Sequence, residues 1–513
     1  YRAGKFTRRN PQVVGTVILA FLILIAGILA TAFQARQANI ERGKAERRFE
    51  DVRSLANSLI FEVNEKIGES PIQARELLVT RALEYLDKLA SEAEGDADLQ
   101  SELAAAYEKI GNVQSEIFSP RLGKTSEALT SQTKALEIRK KLLASDPNNI
   151  VRSVSVMQSL IHVGNILSMS GRSTEARVRY ERSVKVGEDL LSSAPDDVDL
   201  RRSLSRSYAL LGQSVLRTGS LRHALENYDR SLWIAQHLER DFPDDAAFAR
   251  SVGIISSYIG YVKMEMGENA EAVKFFGQSL SLMQKYADTK PGDRSALGGV
   301  GTAHLWLGVG LSHTDPDQGL FHINQALDIQ QSIYNGDKGD FGELNALADC
   351  YLELGRALAK KAERQGQVRD RSGPVINEAI AALEKSVKGY ETVWQTDHES
   401  ISTFRQVAFA RRYLADAFMK SGESDKALET FREALAQSDV LTAKDPAKTE
   451  WQYDAAVCHL RIGEILRERG EDSSAHLATA HAMLRKLSTA SPESVFIKAD
   501  LDTVDRLVGF STR

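Results

Sequence analysis

Few residues in this chain have the types and spacing that chemistry needs. His304, His313 and His322 recur every nine residues, a step that does not stack them on one helix face, and neither His-x3-His nor Cys-x2-Cys occurs. No metal site is therefore expected. Gly299-Val300-Gly301 suggests a phosphate loop, but it lacks the third glycine, a preceding strand and a P-loop lysine, so tight helix packing is the better reading. No Gly-x-Ser-x-Gly elbow is present. Cys350 and Cys458 each lie five residues before a glycine, Gly355 and Gly463. Those glycines belong to repeat units two apart, roughly 20 Å at about 10 Å per helix layer. A disulfide needs Cα atoms within about 7 Å, so two independent buried thiols are expected. With no catalytic residue and no cofactor implied, the chain is not expected to be an enzyme.

The elements that would position any site come from a repeat. The prolines Pro147, Pro195, Pro243 and Pro291 stand 48 residues apart, and Pro446 and Pro492 continue at 46. A fixed period in this range means stacked supersecondary units. Inside one unit Leu160, Val163, Gly164 and Leu167 are followed by Ala176, Tyr180 and Ser183. The next has Tyr208, Leu211, Gly212 and Val215, then Ala224, Tyr228 and Ser231. Later units carry Ile259, Gly260, Ala272 and Phe276; Leu414, Ala415, Ala427 and Phe431; and Ile462, Gly463 and Ala475. Two antiparallel helices explain the pattern, with a small residue on each at their crossing and large apolar residues filling the groove to the next hairpin. Five glycines, Gly298, Gly299, Gly301, Gly308 and Gly310, fall in or near one first helix. At around 1 kcal/mol each relative to alanine they make it the weakest helix of the array.

Composition agrees with a folded chain: 513 residues, 42% hydrophobic and 26% charged, with only two cysteines, which excludes a disulfide scaffold. The net charge of −5 divides unevenly, since residues 1–48 hold nine Lys/Arg against two Asp/Glu. The acidic body argues against nucleic-acid binding. Val13 to Phe33 is twenty-one residues without a charge, enough for a helix to cross a hydrocarbon core of about 30 Å. A cleavable signal peptide is the other reading, since Ala30-Thr31-Ala32 has the small residues of a cleavage site, but the apolar core is long for one. Arg2, Lys5, Arg8 and Arg9 precede the span and Arg36, Arg42, Lys44, Arg47 and Arg48 follow it, so charge alone does not orient it. Beyond it Ala45, Phe49, Val52, Ala56, Leu59 and Val63 form a short a/d stripe. That stripe reads either as an amphipathic helix packed on residues 73–92 or as a stalk that pairs two chains.

The repeat residues resemble the tetratricopeptide repeat family, over Asp98 to Phe510, with second helices about three turns longer than the family's. The resemblance implies an all-α, tetratricopeptide-type α-solenoid of helical hairpins preceded by one transmembrane helix. The divisions are a basic linker (1–12), the span (13–33), a helical stalk (34–97), eight extended repeats (98–492) and a capping helix (493–513). In that family, ligand-facing side chains sit one, four and five residues after the small residue. Here they are Asn112, Asn165, Gln213, Arg217, Tyr261, Arg356, Lys360, Asp416, Lys420, Glu464 and Arg467, a mixed-charge groove suited to a protein or peptide. Asn112 and Asn165 match the paired asparagines of the family's carboxylate-clamp members, but Glu108, Ala209 and Gln213 replace the clamp's basic partners.

A second resemblance joins the ends. Arg47-Arg48-Phe49-Glu50-Asp51-Val52-Arg53, Leu55-Ala56-Asn57 and Arg81-Ala82-Leu83-Glu84-Tyr85-Leu86, following a span, are similar to the C-terminal half of bacterial transmembrane serine/threonine protein kinases with tetratricopeptide sensor regions. That resemblance implies a kinase domain before Tyr1, a single pass through the cytoplasmic (inner) membrane, the N-terminus inside and the repeats outside. The alternative is a stand-alone membrane-tethered scaffold for an envelope assembly. If the stripe pairs two chains as a homodimer, cysteine crosslinking along residues 45–63 in membranes peaks at 49, 52, 56, 59 and 63. A flat profile is the outcome for packing within one chain.

Overall fold

Each proline of the 48-residue series sets up a helix start two residues later. Asn149, Asp197, Asp245 and Asp293 follow Pro147, Pro195, Pro243 and Pro291, and each side chain accepts a hydrogen bond from a backbone N–H in the first turn of the next helix. The proline ends the preceding segment and the Asx side chain satisfies an orphan donor, which is worth about 1 kcal/mol per cap. Ser494 does the same after Pro492, accepting from Ile497 N. Lys448 holds that place after Pro446, and no side-chain cap forms there.

The computed structural model describes Arg36 and residues 71–509, apart from positions 94, 116–124, 367–372, 397 and 399. The chain divides into two units, Tyr1–Glu92 and Ala93–Arg513. In the first, α1 (Pro71–Glu92) is described. The expected span and the stalk positions Phe49, Val52, Ala56, Leu59 and Val63 lie outside the described residues.

The second unit is an α-solenoid. Its hairpins are α2 (Ala97–Ser115) with α3 (Thr125–Ser145), α4 (Ile150–Met169) with α5 (Ser173–Leu191), α6 (Val198–Leu216) with α7 (Leu221–Asp241), and α8 (Ala246–Glu265) with α9 (Asn269–Asp288). They continue as α10 (Arg294–Leu311) with α11 (Pro316–Gly336), α12 (Phe341–Arg364) with α13 (Pro374–Thr396), α14 (Ile401–Ser421) with α15 (Ser424–Lys444), and α16 (Thr449–Glu468) with α17 (Ser474–Ala490). Helix α18 (Val495–Val508) follows, and no strand occurs among the described residues. First helices also touch the first helices of neighbouring hairpins, α4 with α6, α12 with α14, α14 with α16. Curvature brings inner elements together, so the first helices form the inner face.

Within a hairpin the large residue lies on the small one. A Cβ at Gly164 would stand 2.6 Å from the Tyr180 ring, at Gly212 2.9 Å from Tyr228, at Gly260 2.8 Å from Phe276, and at Gly463 2.5 Å from Leu477. The pattern places Tyr180, Tyr228 and Phe276 in the groove between hairpins; in the structure they first cover the glycine of their own hairpin, and Tyr228 then reaches Tyr258 of the next at 5.4 Å. Helix α4 is the one described helix long and apolar enough to cross a membrane, but 61% of its most apolar stretch is buried. It packs against α3, α5 and α6, and its apolarity is that of a core helix.

The glycine-rich α10 is tight at one end only. A Cβ at Gly308 would meet Gly319 O at 2.8 Å and Ile323 N at 2.9 Å, both backbone, whereas nothing lies closer than 3.9 Å to one at Gly298. Gly308→Ala is therefore expected to destabilise by about 1–3 kcal/mol, and Gly298→Ala to stabilise by about 0.5–1 kcal/mol. Amide hydrogen exchange along α10 reads both, with opposite signs.

Candidate functional site on the inner face

The two asparagines are occupied within their own hairpins. Asn165 Oδ1 accepts from the Tyr180 hydroxyl at 2.9 Å, bracing the ring that covers Gly164. Asn112 Oδ1 accepts from Gln132 Nε2 at 2.8 Å, and Gln132 is the side chain over Gly111. Both hold the crossing together. Gln213 is half-buried at the same register. Arg217 Nη1 donates to Ser168 Oγ at 2.5 Å, and its own carbonyl accepts from both Thr449 N and Thr449 Oγ1 at 3.2 Å, across 232 residues of sequence.

From α8 onward the predicted residues converge into one polar network. Arg461 joins Asp416 (3.5 Å), Glu464 (2.7 Å) and Asp500 (3.3 Å), so three carboxylates share one guanidinium. Arg356 pairs with Glu353 at 2.6 Å, and it and Arg412 both stack on Tyr413, at 4.3 and 4.2 Å. Sequence spacing missed Arg405 and Asp454. Arg405 and Arg412 reach Asp454 at 3.2 and 3.5 Å, and Arg412 and Asp454 are 5% and 4% exposed. Arg467 donates to Leu507 O at the rim of the cap. Tyr261 shares a hydrogen bond with Glu265 and feels the charges of Glu450 and Arg405, which places α8 facing α14 and α16. Burial raises Glu265 to about 7 and Asp349, which accepts from the Tyr390 hydroxyl, also to about 7.

One corner of the network carries excess positive charge. Lys420 pairs with Glu363 at 2.8 Å, but the Lys360 ammonium donates to His313 Nδ1 at 2.9 Å, a neutral partner. Arg364 donates to His313 O at 3.3 Å. Burial and then the surrounding Lys360, Arg356 and Arg364 push His313 down to about 4, which keeps it an acceptor. Four cations, Arg356, Lys360, Arg364 and Lys420, share two carboxylates, Glu353 and Glu363.

The histidines pair in a way nine-residue spacing conceals. His304 and His322 lie on facing helices with Nδ1 atoms 2.9 Å apart, and His459 and His476 repeat the arrangement at 2.9 Å. Among the described residues no group of three or more His, Cys, Asp or Glu is placed to hold a metal ion. Cys350 and Cys458 are free and buried, and burial raises both thiols well above their usual range.

No family model matches the chain, and no curated protein matches it. Solved structures resemble it at low identity. A Rap protein complexed with competence and sporulation factor is 13% identical, with a TM-score of 0.43 over 80% of this chain and 99% of that one. A signal transduction ATPase with numerous domains from Pyrococcus horikoshii, carrying a tetratricopeptide repeat sensor, is 14% identical with a TM-score of 0.42, over 85% of this chain and 57% of that one. A human IFIT1 dimer with PPP-AAAA is 13% identical with a TM-score of 0.41, over 88% and 85%.

The unmatched ammonium has a measurable signature. Burial, then Arg364 and Arg356, push Lys360 down to about 8 from 10.5. The unfolded chain keeps this proton to higher pH than the folded one. Stability therefore rises with pH between about 8 and 10.5, and the full penalty applies below 8. Lys360→Met is expected to stabilise the chain at pH 7, by up to about 1 kcal/mol after solvent screening. Denaturation at pH 7 and near pH 10.5 checks it: the advantage disappears at the higher pH.

Proposed function

We propose that this chain is a membrane-anchored repeat scaffold that binds a protein or peptide partner on its inner face. One observation carries the reading: the corner at Lys360, Arg364 and Lys420 holds more cations than carboxylates on rigid first helices, and the hydrogen bond that Lys360 makes among the described residues is to a neutral imidazole. Half-buried cations that share one nearby carboxylate, Glu363, are costly, and an acidic side chain from a partner supplies what the fold leaves out. Binding sites on helices hold their geometry better than sites on loops. Asn112 and Asn165 belong to the hairpin crossings in this reading, and the partner lies against α12 and α14.

The span over residues 13–33 and the juxtamembrane motifs support the finer reading: the extracytoplasmic sensor of a receptor-type serine/threonine protein kinase, its catalytic domain before Tyr1. A stand-alone envelope scaffold is the competing reading, and the coding sequence upstream of Tyr1 separates them. Partner binding is tested by selecting random dodecapeptides on the full chain in lipid nanodiscs. Recovered peptides are expected to be rich in Asp and Glu and to bind Lys360→Glu/Lys420→Glu at least tenfold more weakly, with Asn112→Ala unchanged. Peptides without acidic bias that bind both proteins equally overturn the site.

A further inference from the structure

Turns and helix entries five hairpins apart lie against each other in this array. The turn after α4 meets the entry of α14, where a Cβ at Gly171 would stand 3.5 Å from Ile401. The turn after α6 meets the entry of α16, with Thr449 donating to the Arg217 carbonyl. The turn after α8 meets the entry of α18, where a Cβ at Gly267 would stand 2.9 Å from Val495. The step is the same each time: second hairpin to seventh, third to eighth, fourth to the cap. One superhelical turn therefore takes five hairpins, and its two edges meet.

Residues Ser491–Phe496, which join α17 to α18, run along this edge across three successive turns. The Ser491 hydroxyl donates to the Gly219 carbonyl after α6, and Glu493 lies 3.5 Å from Arg222 at the start of α7. Val495 covers Gly267 after α8, and the Phe496 ring stands 6.2 Å from the His313 ring after α10. Each contact is slight. Arg222 is 71% exposed in its ion pair and Val495 is 37% exposed, and pairs so open to water contribute little. The apolar clusters on either side are separate. Ile497 and Val504 bind α18 to α16 and α17, while Tyr228 and Val252 bind α7 to α8. The first half of α10, which stands between the two edges, is loosely packed. Nothing lies closer than 3.9 Å to a Cβ at Gly298 or 3.5 Å to one at Gly299, and interior glycines weaken a helix.

We propose that Ser491–Phe496 is a strap that closes the array into one turn, and that the array opens there, hinging at the first half of α10 with its hairpins intact. The weak polar strap is the part that yields, because the buried hairpin clusters on each side move as rigid bodies. Opening uncovers the inner face. That consequence rests on the reading of the inner face as the binding surface; the opening itself does not.

Single-molecule energy transfer in the full chain, held in nanodiscs, tests the strap. Cys350 and Cys458 are buried, so dyes attach at Glu226→Cys on α7 and Lys498→Cys on α18, two exposed positions on opposite sides of the strap. A high-transfer and a low-transfer population are expected. Glu493→Arg, which sets like charges against Arg222, enlarges the low-transfer population at least threefold. Adding Arg222→Glu restores the pair with its charges exchanged and returns the population to that of the unaltered strap. Gly298→Ala, which leaves the strap untouched and stiffens α10, shrinks the low-transfer population at least twofold in the Glu493→Arg chain. Helical circular dichroism stays the same throughout. No peptide is present, so the outcome is independent of the acidic-peptide selection. A single high-transfer population in every variant overturns the proposal. So does low transfer that appears only as helical signal is lost, or a low-transfer population that neither the charge exchange nor Gly298→Ala alters.

Discussion

The array depends on how closely two helices approach inside each hairpin. At Gly164, Gly212 and Gly260 the space a Cβ would take is filled by a ring from the partner helix. That contact fixes the interaxial distance, and the distance fixes where the next hairpin can stack. Where the small residue is an alanine, as at Ala415, the side chain is still fully buried beside Phe431 in one cluster. The polar tips serve the same contact: Asn165 holds the Tyr180 hydroxyl, and Gln132 takes the ring's place over Gly111 and is held by Asn112. Asn112 and Asn165, each one residue beyond its glycine, are therefore spent on the crossing before a partner can use them.

Curvature then concentrates charge. First helices carry polar side chains on the inside, and from α8 to α16 those side chains meet one another before they meet solvent. The Arg405–Asp454–Arg412 cluster is costly to desolvate, and its members repay that only by pairing. Such a cluster contributes little net stability but penalises alternative registers, because a shifted first helix would leave Arg412 buried without Asp454. At the corner around Lys360 the cations outnumber the carboxylates that pair with them.

The local grammar of the fold was legible in the sequence. Proline followed two residues later by Asp or Asn announces helix starts because the cap chemistry is confined to four adjacent residues. Small and large residues at fixed spacing announce the hairpin because both sit on the same two helices. The glycines of α10 show the limit of that grammar: Gly308 is pressed on backbone while Gly298 has room, a difference set by the helix crossing and not by residue type. Spacing along one helix likewise could not find His304 with His322, which meet across a hairpin. Nor could it separate Asp416 and Glu464, both consumed by Arg461, from Lys360. Those outcomes depend on what the facing helix carries, and the repeat pattern holds no record of it.

Stacked repeats touching only their neighbours behave as a one-dimensional chain, stable in proportion to local interfaces and free to fray from either end. This array departs from that limit. The carbonyl of Arg217 accepts from Thr449, the carbonyl of Gly219 accepts from the Ser491 hydroxyl, and Arg222 lies 3.5 Å from Glu493. Two glycines make the approach possible: at Gly219, with φ at 92°, a Cβ would stand 2.5 Å from Ser491 Oγ, and at Gly267, with φ at 82°, 2.9 Å from Val495. Only glycine occupies that backbone region without strain, so one residue both ends the first helix and admits the distant segment. The turns after α6 and α8 are thereby tied to the entries of α16 and α18. Opening the inner face requires breaking this seam as well as bending hairpins.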